Sequence, residues 1–194
     1  MCACFLASIF NVQLNPKKMI KKALITLVLA IGLSLVKAQS INSEKSIVNF
    51  EVSNMGFNTV EGTFKGMTGE IVFDGSNLVM SSFKVCVDAN TVFTENEKRD
   101  AHLKKEDFFN TSKFPTICFV SNSISKSEEV YVVKGMLEMH GITLKVEIPF
   151  TYENEIFKGR FLINRLDYKV GEGTGTFMVG NEVEMEIICV IKTK

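Results

Sequence analysis

Apolar and polar residues alternate along most of the chain after residue 40. This period of two places apolar side chains on one face in six segments: 48–52, 60–64, 83–87, 131–139, 142–150 and 183–191. Turn-forming residues separate these runs at 74–77, 122–129, 140–141, 153–154 and 171–175. The pattern predicts eight or nine strands joined mostly by short turns, typical of an antiparallel sandwich or barrel. The pattern predicts a helix only at residues 95–109.

The first 38 residues differ from the rest of the chain. A basic start at 19–22, an apolar run at 23–36 and small residues before Gln39 match a secretory signal peptide. The run is too short to span a bilayer comfortably, so we expect no stable membrane anchor after cleavage. We therefore predict a cleaved upstream extension and signal peptide at 1–38, one domain at 41–194, and a periplasmic or secreted protein.

Cleavage changes the charge of the protein. The full chain has 22 basic and 22 acidic side chains, and residues 1–38 contain five lysines and no acid. The mature chain then has 22 − 5 = 17 basic against 22 acidic side chains, a net charge of −5. A mildly acidic domain is a poor electrostatic partner for nucleic acid, so we expect none to bind.

Three cysteines remain in the mature chain: Cys86, Cys118 and Cys189. An odd number at wide spacing is neither a disulfide framework nor a metal motif. Because all three lie in apolar strand-like runs, we interpret them as small buried hydrophobes. One disulfide with one thiol left over is the alternative in an oxidising compartment.

The apolar faces mix phenylalanine with glycine. Fourteen Phe remain after residue 38, since two of the sixteen precede it, and Gly62, Gly66, Gly135 and Gly159 fall among them. Such a face can leave a cavity inside a barrel. Equally, glycines in barrel strands relieve curvature and phenylalanine is ordinary core. Alternation alone leaves both interpretations open.

Residues 99–109 carry the densest chemistry, with the sequence Arg-Asp-Ala-His-Leu-Lys-Lys-Glu-Asp-Phe-Phe. One interpretation is a helical plug, in which Leu103, Phe108 and Phe109 close a barrel end while ion pairs of Arg99 and Asp100 hold the helix. The other is a lid at a cavity mouth, with Arg99 or His102 facing the polar end of a ligand. Two histidines without partners at ligand spacing are a weak metal signal, and His140 before Gly141 is typical of a hairpin turn.

This block resembles the RDxHLxxxDFF signature of the YceI-like family. Further motifs are similar to the family's in the same order: 55–57 with 60–64, 69–74, 114–121, 135–143 and 164–168. The resemblance implies an all-β fold, an extended eight-stranded antiparallel β-barrel, lipocalin-like, with one short helix near residues 95–109. It also implies a tunnel that binds a lipid or polyisoprenoid chain.

On this basis we predict non-catalytic binding, transport or storage of an isoprenoid lipid of the polyprenyl or quinone type, with no cofactor and no metal. The alternatives are a stress-related structural protein with a filled tunnel, or an enzyme acting on a tunnel-bound lipid with His102 or Asp107 as acid or base. Exposed strand edges could pair two barrels into a homodimer. The predicted tunnel-lining residues are Phe50, Val52, Phe64, Phe83, Val85, Phe119, Leu137, Phe161 and Ile187. The predicted gate or headgroup residues are Arg99, Asp100, His102, Leu103, Phe108, Phe109, His140 and Arg165.

Overall fold

A computed structural model describes residues 38–192, so the predicted cleaved extension lies outside the described residues except for Ala38. Within this range the chain forms nine strands and one short α-helix, α1, at Glu97–Leu103. The strands are β1 (Gln39–Ser40), β2 (Ile47–Asn54), β3 (Asn58–Val72), β4 (Ser82–Phe93), β5 (Thr116–Ser127), β6 (Val130–Met139), β7 (Ile142–Glu153), β8 (Ile156–Asn164) and β9 (Val179–Val190).

Strands β2 to β9 form a closed antiparallel barrel. The sheet order is β1-β3-β2-β9-β8-β7-β6-β5-β4, and a further pairing of β3 with β4 closes the ring. The two-residue strand β1 adds to β3 through Gln39 and Ser40. The predicted eight-stranded antiparallel barrel with one short helix is therefore confirmed.

The alternating pattern of the sequence determines which side chains face inward. Along β9, Val183, Met185 and Cys189 are buried, while the glutamates between them lie on the outer face. Burying a side chain of this size stabilises the fold by roughly 1.5–3 kcal/mol. Inward residues of all eight barrel strands meet in one core, which is rich in phenylalanine.

Both ends of the barrel are covered, each in a different way. At the end that we call the helix end, the β4–β5 connection with α1 and the β8–β9 connection meet the 55–57 and 140–141 turns. At the opposite end Phe73 lies 5.1–6.1 Å, between ring centroids, from five other aromatic rings: Phe83, Tyr131, Phe150, Tyr152 and Phe157. This aromatic cluster fills the barrel there.

Pairing between β7 and β8 covers only part of the two strands. In the described chain the ladder joins four pairs, from Phe150 with Gly159 to Glu153 with Ile156. Residues 142–149 of β7 then pair only with β6, and residues 160–164 of β8 only with β9. Proline has no N–H to give to a ladder, and Pro149 stands where the pairing stops. We call the region between these two unpaired stretches the side window.

Two predicted boundaries were wrong. The predicted helix at 95–109 is shorter, because turns replace it from residue 104 onward. The predicted turn at 122–129 is mostly strand: β5 continues to Ser127 through a register shift between Ser121 and Ser123, and only residues 128–129 turn. A bulge lets one extra residue interrupt the alternation without ending the strand.

The buried-hydrophobe interpretation was wrong for two of the three cysteines. Cys86 and Cys118 are direct partners in the β4–β5 ladder and form a disulfide. Their neighbours in sequence, Val87 and Phe119, are buried core residues, whereas both cysteines are only partly buried. Cys189 is buried and free, as interpreted, and burial raises the pKa of its thiol to about 11.

Candidate ligand-binding site

An apolar cavity of about 120 Å³ lies inside the barrel. Among the residues that the structure describes, its wall has no charged side chain and consists of aliphatic, aromatic, Met, Cys and Gly residues from all eight barrel strands. Seven predicted tunnel residues lie on this wall: Phe64, Phe83, Val85, Phe119, Leu137, Phe161 and Ile187. Such a wall suits an apolar group of a ligand, because a buried polar group would find no partner.

A second cavity of about 70 Å³ lies toward the helix end. Phe50 and Val52, the other two predicted tunnel residues, line it together with Arg165. The two cavities share four wall residues, Phe64, Met139, Ile163 and Met185, so only side chains separate them. The structure thus places all nine predicted residues on cavity walls, and their contact with a ligand stays a prediction.

Several wall residues escaped the sequence interpretation. Met67 is almost fully buried although it lies three positions after Phe64, which reverses the parity of β3. The cause is a β-bulge between Lys65 and Thr68, where Gly66 adopts a φ of 70°. Gly66 was the residue in the sequence that could have indicated this bulge. Met139, Phe150 and Phe157 follow simple alternation and could have been included.

The helix end is closed by the predicted plug residues. Leu103, Phe108 and Phe109 line the smaller cavity. The Phe109 ring packs edge-on against Phe64 at 5.2 Å between centroids, which ties the turn after α1 to the barrel interior. Because Phe64 belongs to both cavity walls, these side chains lie next to the space inside the barrel.

Arg99 and Asp100 hold α1 in place through Thr94, and not through the predicted ion pairs. Asp100 is buried and accepts hydrogen bonds from the Thr94 backbone N at 2.8 Å and from its Oγ1 at 2.5 Å. Arg99 donates from Nε to Thr94 Oγ1 at 2.7 Å and from Nη2 to the Thr94 carbonyl at 2.6 Å. Both side chains are therefore committed to the start of the helix.

The two histidines lie apart and have different surroundings. His102 Nε2 lies 2.8 Å from Asp107 Oδ2 on the surface, where about half of each side chain is exposed. The hydrogen bond from His102 lowers the pKa of Asp107 below its usual value. His140, with Gly141, forms the β6–β7 turn at positive φ, and its Nδ1 donates to the Tyr168 carbonyl at 3.1 Å. Neither histidine lies on a cavity wall.

Arg165 is buried, and no acidic side chain among residues 38–192 pairs with it. Its five N–H groups donate to five backbone carbonyls at 2.7–2.9 Å: Val170, Gly171, Thr174, Val179 and Gly180. Burial lowers the pKa of its guanidinium. The side chain thus holds the β8–β9 connection in place with all of its N–H groups. Its predicted headgroup role stays a prediction.

Tyr168, within this connection, is nearly fully buried, and its hydroxyl has no hydrogen-bond partner among the described residues. Burial raises the pKa of this phenol to about 12. In the described range, no group of three His, Cys, Asp or Glu side chains is arranged to hold a metal ion. No helix within that range is long and apolar enough to cross a membrane.

Fold and cavity define a class: a small closed β-barrel whose apolar interior can enclose part of one hydrophobic molecule. The sequence profile of the YceI-like domain matches residues 39–191, so the chain belongs to the YceI-like family. A UPF0312 protein of Photorhabdus laumondii is 33% identical over 137 residues, covering 66% of this chain and 70% of the relative. The protein YceI of Salmonella arizonae is 30% identical over 134 residues, covering 68% and 70%.

Solved structures share the fold. BcnA of Burkholderia cenocepacia superimposes with a TM-score of 0.72 at 24% identity, covering 79% of this chain and 99% of the other. A polyisoprenoid-binding domain from Saccharophagus degradans gives 0.62 at 16% identity, covering 81% and 99%. The resemblance to the YceI-like family is thus confirmed by sequence and fold.

Proposed function

We propose that this protein is a non-catalytic periplasmic or secreted carrier that binds an isoprenoid lipid by its chain inside the barrel. The observation that carries the proposal is the uncharged apolar cavity enclosed by a closed barrel. The family and the polyisoprenoid-binding neighbour support this ligand class. The Cys86–Cys118 disulfide supports an oxidising compartment, where such bonds persist.

The chain of the ligand sets the affinity in this proposal. Each buried CH₂ contributes roughly 0.8 kcal/mol, so about fifteen carbons give on the order of 12 kcal/mol before the costs of binding. One hydrogen bond to a headgroup adds only about 1 kcal/mol. With every N–H of Arg165 already bonded, headgroup specificity is loose and dependence on chain length is strong.

The size of the cavity sets a condition on binding. An apolar cavity of about 150 Å³ admits a molecule the size of benzene, so one of about 120 Å³ holds little more than a single isoprene unit. A longer chain must displace wall side chains, and those that separate the two cavities are the first to move. The same smallness favours the alternative, a structural protein whose tunnel is permanently filled.

Ligand occupancy separates these two functions. Protein purified from its own host is examined by native mass spectrometry without added lipid. A carrier shows a non-covalent adduct of lipid mass that organic extraction removes, and the mass of that lipid stays constant on incubation with the protein. A protein without adduct that also fails to bind added retinol, a fluorescent isoprenoid alcohol, would have a filled tunnel.

A matched pair of variants tests where the chain binds. Ile187 lies on the cavity wall, and its neighbour Ile188 points away from it on the same strand. Ile187→Trp fills the cavity, so we expect retinol to bind at least tenfold more weakly, whereas Ile188→Trp stays within twofold of wild type. Thermal unfolding checks that both variants fold. Equal affinities for the two would place the chain outside the barrel.

A further inference from the structure

We propose that the side window between β7 and β8 is the route by which a lipid chain reaches the cavity. The inference rests on the proposed function and adds a place, a direction and a set of contacts to it. The chain passes sideways through the barrel wall, between residues 142–149 and 160–164, and does not thread through either end.

Both ends are filled by side chains with many contacts. The plug residues Leu103, Phe108 and Phe109 cover the helix end. Above them the Arg165 guanidinium donates hydrogen bonds to five carbonyls of residues 170–180, which fixes the β8–β9 connection. The opposite end is filled by the aromatic cluster around Phe73. Threading a chain through either end would break these contacts, whereas no ladder hydrogen bond has to break at the side window.

The side window has a defined frame. The Phe150–Gly159 pair closes it toward the opposite end, and the hydrogen bond from His140 Nδ1 to the Tyr168 carbonyl bridges the two connections at the helix end. The eight residues of β7 that have no partner on β8 span about 25 Å at roughly 3.4 Å per residue. This is long enough for an extended chain to lie along it.

The inner lip of the side window is apolar and incompletely covered. Ile142, Leu144 and Val146 face inward yet are only half-buried. Their direct partners on β6 include Leu137 and Met139, which are buried. Cover is therefore lost on the side of β7 that faces β8, where Phe161, a half-buried residue of the cavity wall, stands across the gap.

Two of the three charged side chains on the lips form ion pairs that point away from the gap; the third, Lys145, lies on the outer face. Glu147 on β7 pairs with Lys134 on β6 at 2.7 Å. Arg160 on β8 pairs with Glu184 and Glu186 on β9, at 2.9 Å each. The backbone N–H and C=O groups of the two unpaired edges remain, and they can bond a hydroxyl or carbonyl headgroup while the chain lies inside.

A covalent lock across the side window tests the route. Glu147 and Leu162 lie on the outer face of opposite lips, so a Glu147→Cys/Leu162→Cys variant is joined by a short bis-maleimide. The control, Lys134→Cys/Glu147→Cys, joins paired residues of β6 and β7 with the same reagent. Without reductant the three cysteines of residues 38–192 stay unreactive, because Cys189 is buried and the other two are oxidised.

Stopped-flow fluorescence with retinol measures loading and release. The locked window should lower both rate constants at least tenfold and leave the dissociation constant within twofold, because a portal changes rates and not the bound state. The control and the unlinked variants should load like wild type. Equal rates in locked and control protein, or cross-links formed only between molecules, would overturn the inference. Wild type that binds no retinol would instead overturn the proposed function.

A charge in the lip gives a second, independent measurement. Leu144→Glu places a carboxylate on the inner lip, whereas Thr143→Glu places it on the outer face of the same strand. We expect retinol to load at least fivefold more slowly in the first variant and at the wild-type rate in the second. Equal loading rates for the two folded variants would contradict passage through the side window.

Discussion

Arg165 shows how a single buried cation can organise a whole connection. No carboxylate in the described part of the chain pairs with it, and the partial negative charges of five carbonyls take that place. Buried charges are costly unless every donor is satisfied, and here every N–H is. Since the five carbonyls belong to residues 170–180, one side chain fixes the path of the chain from β8 to β9.

Replacing Arg165 should therefore destabilise the fold strongly. Arg165→Met keeps much of the volume but leaves buried carbonyls without donors, and we expect a loss of about 3–5 kcal/mol in the free energy of unfolding. Urea denaturation measures it. Arg160→Met, which removes an exposed arginine, is the control and should leave the midpoint unchanged. Similar midpoints for the two variants would show that the five hydrogen bonds contribute little.

The motif around Arg165 could be found in the sequence, but its role could not. The arginine was predicted at a gate or headgroup site because residues 164–168 resemble a motif of the family. Its actual partners are carbonyls of an irregular connection, and backbone groups carry no sequence signal. Arg99 and Asp100 were predicted to hold the helix by ion pairs, but both bond Thr94 instead. Thr94 lies outside the motif, so the sequence did not indicate it as a partner.

Strands and turns followed from the sequence wherever alternation was uninterrupted. β9 keeps a strict period of two, and its inward residues were predicted correctly. β3 and β5 contain register shifts, which reverse parity without any change in hydrophobicity, so Met67 was missed and residues 122–127 were assigned to a turn. The side window could not be predicted either. The alternating pattern shows which face of a strand is apolar, but it does not show which residues of two neighbouring strands pair.

The Cys86–Cys118 disulfide joins two strands that share only five ladder pairs. It closes a stretch with a sequence separation of 32 that contains α1 and the plug. A constraint of this length stabilises by about 3–4 kcal/mol in the chain-entropy estimate. The covalent bond thus secures the connection that covers the helix end.

We expect reductant to lower the melting temperature of the wild type by roughly 10 °C, given about 2–4 °C per kcal/mol for a domain of this size. The Cys86→Ser/Cys118→Ser variant should melt near the reduced wild type and be insensitive to reductant. Differential scanning calorimetry with and without reductant makes the comparison. A wild type indifferent to reductant would show that the bond adds nothing to stability.

For the molecule as a whole, the cavity and the core form one apolar interior. The cavity wall is also the main core, so a bound chain would extend the contacts that hold the barrel together. Binding to the folded state alone stabilises it by about 2.7 kcal/mol when the free ligand is at a hundred times its dissociation constant. Stability is therefore a direct measure of occupancy.

A series of isoprenoid alcohols of increasing length should raise the melting temperature progressively. At equal free concentration, geraniol, farnesol and geranylgeraniol are expected to give increasing shifts, because each isoprene unit buries further apolar surface. Ile187→Trp should remove most of the shift and Ile188→Trp should retain it. A shift independent of chain length would mean that the headgroup, and not the chain, determines binding.

The two unpaired lips of the side window also bear on how these molecules behave at high concentration. Open strand edges are templates for edge-to-edge pairing between chains, which is how many β-proteins aggregate. Lys145, Glu147 and Pro149 lie along the outer face of one lip, and charges and proline are the residues that discourage such pairing. Substitutions here can thus lower the yield of monomeric protein while the interior stays unchanged.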